Sequence, residues 1–165
     1  MKTLLLAYGN RDREDDGAGW HILDNFCHHF QLTTPQFPGE SLEIPQHSLR
    51  LFYLFQLLPE MAEDIAEYEQ VIFIDAHNSE QLPDLIFEDL QATSGHSAFT
   101  HHLAAGELLA ICKTLTGSYP NAKMLSVRGF SFQFKQELST RTAQLVEQAS
   151  RALLEELYLL NHELL

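Results

Sequence analysis

A chain of 165 residues, 45% apolar and 20% charged, is long enough to bury a core and has ordinary globular composition. Ten basic against 23 acidic residues leave a formal charge of −13 with no Lys/Arg cluster, and such a surface repels phosphate backbones, so nucleic acid is excluded as a partner class. No apolar run approaches the ~18 residues of a membrane helix. The stretch before Gly9 is too short for a signal-peptide core and lacks a cleavage site, so a soluble, cytoplasmic protein is expected.

In chain order, residues 2–8 (KTLLLAY) form a continuous apolar run closed by the turn signal Gly9-Asn10, and read as a buried strand. Residues 16–30 read as a helix, with Trp20, Leu23, Phe26, Cys27 and Phe30 at helical spacing. Residues 32–50, with Pro35, Pro38, Gly39 and Pro45, read as a loop carrying one strand. Leu57, Leu58, Met61, Ile65 and Tyr68 give an amphipathic helix over 57–68. Residues 71–74 (VIFI) are a second buried strand ending at Asp75, and 85–90 a further strand. A third helix over 101–115 turns Leu108, Leu109, Cys112 and Leu115 inward, and 124–130 is a strand. Ser139 caps a long last helix with a stripe from Leu145 to Leu160. Cys27 and Cys112 fall inside helices, form no CxxC and read as buried packing residues.

Strands that are apolar without alternation belong to a sheet covered on both faces. The fold class is therefore α/β: a three-layer α/β/α sandwich, one domain over residues 1–165, with a mostly parallel twisted sheet of about five strands. Ligands in such folds sit at the carboxyl ends of the strands, which selects the loop after residue 8 and Asp75 with its neighbours.

Three groups of residues there can carry chemistry. In Gly9-Asn10-Arg11-Asp12-Arg13-Glu14-Asp15-Asp16-Gly17-Ala18-Gly19, Asp15 or Asp16 lies near a helix start, where free N–H groups favour an anion; the carboxylate is either a plain cap or an available oxygen ligand. The glycines match neither a phosphate loop nor the dinucleotide fingerprint. Asp75, in Ile74-Asp75-Ala76-His77-Asn78, ends a buried strand and is either satisfied by backbone donors or functional. Thr100-His101-His102 stand at a helix start; adjacent helical residues point about 100° apart, so at most one imidazole faces a shared crevice. No G-x-S-x-G elbow, no zinc-protease spacing and no cysteine at a strand end is present.

The order strand-Gly9-Asn10, Asp15-Asp16-Gly17-Ala18-Gly19-helix, then VIFIDA, then His101-x-Leu103-x3-Glu107 resembles the endopeptidases that mature nickel–iron hydrogenase large subunits, over about residues 2–150. The resemblance implies that Asp16, Asp75 and His101 are metal ligands, His101 standing two residues before Leu103 and six before Glu107, with His102 one position off. It implies nickel as the metal, supplied by the substrate, with zinc or cadmium as other possible occupants. It implies as partner a hydrogenase large-subunit precursor, whose C-terminal extension is removed by hydrolysis, and a monomeric enzyme. Without a Ser or Cys nucleophile, the attacking water is activated by the metal or by a carboxylate; Asp16 and Asp75 are the catalytic carboxylates, Asp16 taking the base role by its place in the loop. Ala7 replaces a family glycine, and residues 40–56 lack a D-G-G-T-like segment, which marks a divergent branch.

Two other functions fit the same sequence. One is a non-catalytic module that inspects nickel. The other is a small-molecule hydrolase holding a divalent ion on Asp15, Asp16 and Asp75. The turn Arg128-Gly129-Phe130 is a further candidate for the cleft wall, and Asn10 a candidate donor to the scissile carbonyl.

Overall fold

The run Thr3–Tyr8 (β1) occupies the middle of a sheet, and the rest of the fold is arranged around it. The structure, a computed structural model, describes residues 1–94 and 103–160. The other strands are Ser41–Ile44 (β2), Leu49–Leu54 (β3), Gln70–His77 (β4), Leu85–Asp89 (β5) and Asn121–Arg128 (β6), in the spatial order β2-β3-β1-β4-β6-β5. β1 lies parallel to β3 and β4, and β4 parallel to β6, while β2 and β5 close the two edges antiparallel. The expected α/β sandwich is thus present, with six strands where about five were expected.

Both faces of the sheet are covered, which is why β1 and β4 carry no polar alternation. Leu5, Ala7, Ile72 and Ile74 pack under the helices Ala18–His29 (α1) and Thr140–Leu160 (α4). Leu4, Leu6, Val71 and Phe73 pack under Met61–Ile65 (α2) and Ala105–Thr116 (α3). Cys27 and Cys112 are buried free thiols in these layers. No described helix is long and apolar enough to cross a membrane.

Four boundaries differ from the sequence reading. β3 was not expected, because Arg50 interrupts the pattern LRLFYL; its guanidinium reaches the Tyr68 hydroxyl at 3.4 Å and stacks over Phe52, so the stem lies along the sheet while the tip finds polar company. The helix expected over 57–68 shortens to α2, although Leu57, Met61, Ile65 and Tyr68 are all buried. Its end tightens through three-residue turns at Glu67 and Tyr68 that feed the chain into β4. The strand expected at 124–130 starts three residues earlier and stops at Arg128. The helix expected from residue 101 is described from Ala105 onward, and His101 and His102 lie outside the described residues.

The loop after β1 is joined to the loop after β6 by one buried carboxylate. Residues Glu14–Gly17 form a 3-10 turn, and Asp15 within it is fully buried. Its Oδ2 accepts the amides of Phe130 and Ser131 at 2.7 and 3.0 Å and the Ser139 hydroxyl at 2.7 Å, while Oδ1 accepts the Ser139 amide at 2.8 Å. Burial alone would raise this carboxyl; the four donors overcome it and hold it below the ordinary aspartate value. Ser139 therefore does more than cap α4, its hydroxyl standing 3.4 Å from the Thr142 amide. Neither Asp15 nor Asp16 caps α1, so of the two alternatives open for this carboxylate the plain cap is not met.

Asp15→Asn should lower the unfolding free energy by about 2–3 kcal/mol, since buried donors lose a charged acceptor. A group whose folded pKa is depressed stabilises above its unfolded pKa and loses that effect as pH falls through the folded value. Thermal melts of wild type and variant should therefore differ at neutral pH and converge well below the ordinary aspartate value of about 4. A gap that does not narrow on acidification would count against this role.

Candidate functional site

β1 and β4 end side by side, and the chain reverses there without side chains in the way. Gly9 has φ +138°, and a β-carbon on it would collide with the Asp16 carbonyl oxygen. A β-carbon on Gly19 would lie 2.6 Å from the carbonyl oxygen of Ile74. These two glycines let the loop and the first turn of α1 settle directly on the ends of β1 and β4. The Asn10 amide then donates to Asp16 Oδ2 at 2.9 Å, which fixes the Asp16 side chain over the sheet edge.

The result brings Asp16 and Asp75 into one pocket of about 200 Å³, whose walls include Tyr8, Asn10, Arg13, Phe55 and Leu103. Asp75 stands where the fully buried run Val71–Ile74 gives way to half-buried positions. Burial pushes its carboxyl well above the ordinary range, and the neighbouring Asp16 charge pushes the same way; the Ala76 amide and the Tyr8 hydroxyl oppose them. Tyr8 is itself raised, by burial first and by Asp75 second, so it remains a donor toward that carboxylate. Of the two alternatives open for Asp75, backbone satisfaction or function, the first is met only in part. A cation between Asp16 and Asp75 would offset what raises Asp75, and two oxygen donors side by side suit a divalent metal.

Among the described residues no group of three His, Cys, Asp or Glu converges on one point. The expected third ligand, His101, lies outside the described residues, but Leu103 two positions later lines the pocket. Asp15, equally acidic in the sequence, is excluded: both its oxygens are held by the loop after β6. The Arg128-Gly129-Phe130 turn is not part of the pocket wall and instead supplies amides to Asp15. Asn10 does line the pocket, its Oδ1 accepting the Asp12 amide at 2.9 Å.

The sequence reading missed several neighbours. Tyr8 ends β1, and Phe55 follows β3, which was itself unrecognised. His77 and Ser126 lie beyond Asp75 in a groove of about 430 Å³ that shares Tyr8, Asp75 and Leu103 with the pocket. Asp75 pairs in register with Ser126, and His77 Nδ1 lies 2.9 Å from Ser126 Oγ. Burial holds the His77 imidazole below its usual pKa, hence neutral. The period of two along a strand puts residues 75 and 77 on one side, a signal that was available in the sequence.

No protein-family model matches this sequence, and no curated protein matches it. Solved structures do resemble it. A [NiFe] hydrogenase maturation protease HycI from Thermococcus kodakarensis KOD1 superposes with a TM-score of 0.67 at 19% identity, covering 94% of this chain and 92% of that one. An endopeptidase from Escherichia coli gives 0.66 at 18% identity, covering 96% and 93%. The hydrogenase maturating endopeptidase HybD from Escherichia coli gives 0.64 at 17% identity, covering 95% and 92%. The chain thus has the fold seen in [NiFe] hydrogenase maturation proteases, along nearly its whole length.

Proposed function

We propose that this protein is a divergent member of the hydrogenase maturation endopeptidases and that it removes the C-terminal extension of a nickel-loaded large-subunit precursor. The observation that carries the reading is the convergence of Asp16 and Asp75 on one pocket at the carboxyl edge of the sheet, close enough for the charge of one to raise the other. The fold likeness supports the same reading.

In this proposal the nickel belongs to the substrate. Asp16, Asp75 and His101 add ligands to an ion already held by the precursor's own side chains, and this seats the precursor with its extension beside the pocket. A water, activated by Asp16 as base or by the metal as Lewis acid, attacks the scissile carbonyl and gives its proton to a carboxylate of the pocket. The C–N bond breaks and the leaving amine is protonated. Metal-dependent docking makes cleavage wait for metal loading. The protein works as a cytoplasmic monomer.

The surroundings favour a protein substrate over a small molecule. Large exposed apolar side chains rise from loops that leave the carboxyl ends of three strands: Phe55 (50% exposed) and Leu58 after β3, Leu82 after β4, and Phe134 (88% exposed) after β6. Apolar side chains around a polar pocket are a feature of surfaces that receive another protein. The alternative set Asp15, Asp16 and Asp75 is unsupported, because Asp15 is fully engaged elsewhere.

Asp16→Asn, Asp75→Asn and His101→Ala should each slow trimming of a nickel-loaded precursor by at least roughly 100-fold, about 2.7 kcal/mol of transition-state free energy, with thermal melts like wild type. The readout is the mass of the partner's C-terminus. Undiminished trimming in all three variants would defeat the proposal, and a tightly bound but unshortened partner with the wild-type protein would indicate an inspecting module instead. Wild-type protein given nickel-free precursor should leave it uncut; equal cutting of both forms would remove the metal from the mechanism.

A further inference from the structure

Among the described residues that line it, the candidate pocket has two carboxylates and one cation. Arg13 is exposed, lines the pocket with Asp16 and Asp75, and forms no ion pair among the described residues. Two other cations of the joined loops are engaged: Arg11 pairs with Asp24 at 3.2 Å, and Lys135 with Glu14 at 2.9 Å. The Arg13 backbone, in contrast, is fixed. Its amide donates to the Asn10 carbonyl at 3.1 Å, its carbonyl accepts the Asp16 amide at 3.1 Å, and it bridges Lys135 across the two loops.

We infer that Arg13 is a catalytic residue that stabilises the oxyanion formed when the peptide bond is hydrolysed. The inference rests on the hydrolytic reading above. As water oxygen bonds to the carbonyl carbon, the electron pair of the C=O bond moves to oxygen, and a pocket already holding two carboxylates would repel that new charge. An arginine lining the pocket has a guanidinium whose paired N–H donors can meet that charge. When the C–N bond breaks, the leaving nitrogen takes a proton and the oxyanion returns to a carboxyl group, which ionises and stays within reach of the same donors. A cation that was neutralised by Asp16 or Asp75 could not serve in this way; Arg13 lines the same pocket as both and forms no ion pair with either among the described residues.

The test is steady-state trimming of the nickel-loaded precursor by wild type, Arg13→Gln, Arg13→Lys and Arg13→Ala, with binding of the precursor measured separately. Loss of one oxyanion donor costs about 10²–10³ in rate, so Arg13→Gln should lower kcat by that range with KM and binding nearly unchanged. Arg13→Lys should fall between, having the charge without the fork, and millimolar guanidinium should partly restore Arg13→Ala. An unchanged kcat, or a rise in KM alone, would overturn the inference while leaving the endopeptidase reading in place. If wild type itself leaves the precursor uncut, both fall together; the Asp16→Asn variant separates the two in the other direction, since it should lose precursor binding whereas Arg13→Gln should keep it.

Discussion

Asp16 stands over Asp75 because two stretches of backbone meet where no side chain separates them. The Asp16 carbonyl occupies the space a β-carbon on Gly9 would take, and the Ile74 carbonyl crowds the corresponding position at Gly19. A β-carbon at either place would force the loop away from the strand ends. The bond from the Asn10 amide to Asp16 then turns a close approach into a fixed orientation. The glycines are therefore as much a part of the site as the carboxylates, although they touch nothing that reacts.

Three consecutive acids in this loop have three different fates, and the difference is a matter of donors. Glu14 is buried against Lys135 and the Gln133 amide, and Asp15 against the amides and hydroxyl of the loop after β6. Both are satisfied by groups from one neighbouring segment, which ties the loop down from one side. Asp16 faces the other way and takes a single amide, leaving coordination capacity on the pocket side. A rigid support on one side and an available carboxylate on the other is what a binding group held within a fraction of an ångström needs.

This division was only partly legible in the sequence. The sandwich could be read from unalternating strands, and the place of the site from the rule that ligands gather at carboxyl strand ends; Asp16 and Asp75 do share a pocket there. What the residue pattern by itself left open, and only the resemblance chose, was which of Asp15 and Asp16 faces the pocket, since the partners of Asp15 lie more than a hundred residues away, in a loop whose amides have no sequence signature. β3 escaped for a different reason: Arg50 breaks the apolar pattern, and only the tertiary contact with Tyr68 makes it tolerable in a strand. With β3 missed, Phe55 could not be placed at the pocket mouth. Arg13 escaped too, because a cation in a run of acids reads as a surface salt bridge until the structure shows it without one among the described residues.

Among the described residues the pocket brings together two carboxylates and no third ligand, and the proposed function has the metal arrive with the partner. Two carboxylates in a pocket, one of them already reluctant to ionise, form a poor cage for a free ion, because a resident transition metal is ordinarily held by three or four protein ligands of suitable softness. Adding His101, as proposed, would bring the set to three and still leave it dependent on further donors. An ion presented with its own ligands changes the balance. The carboxylates need only complete a coordination sphere, and the cation lowers the cost of ionising Asp75. On the proposed function, weak affinity for free metal and useful affinity for metal already bound to a protein would come from one arrangement, and a protein that hydrolyses only what it can coordinate would use that difference to tell a loaded precursor from an empty one.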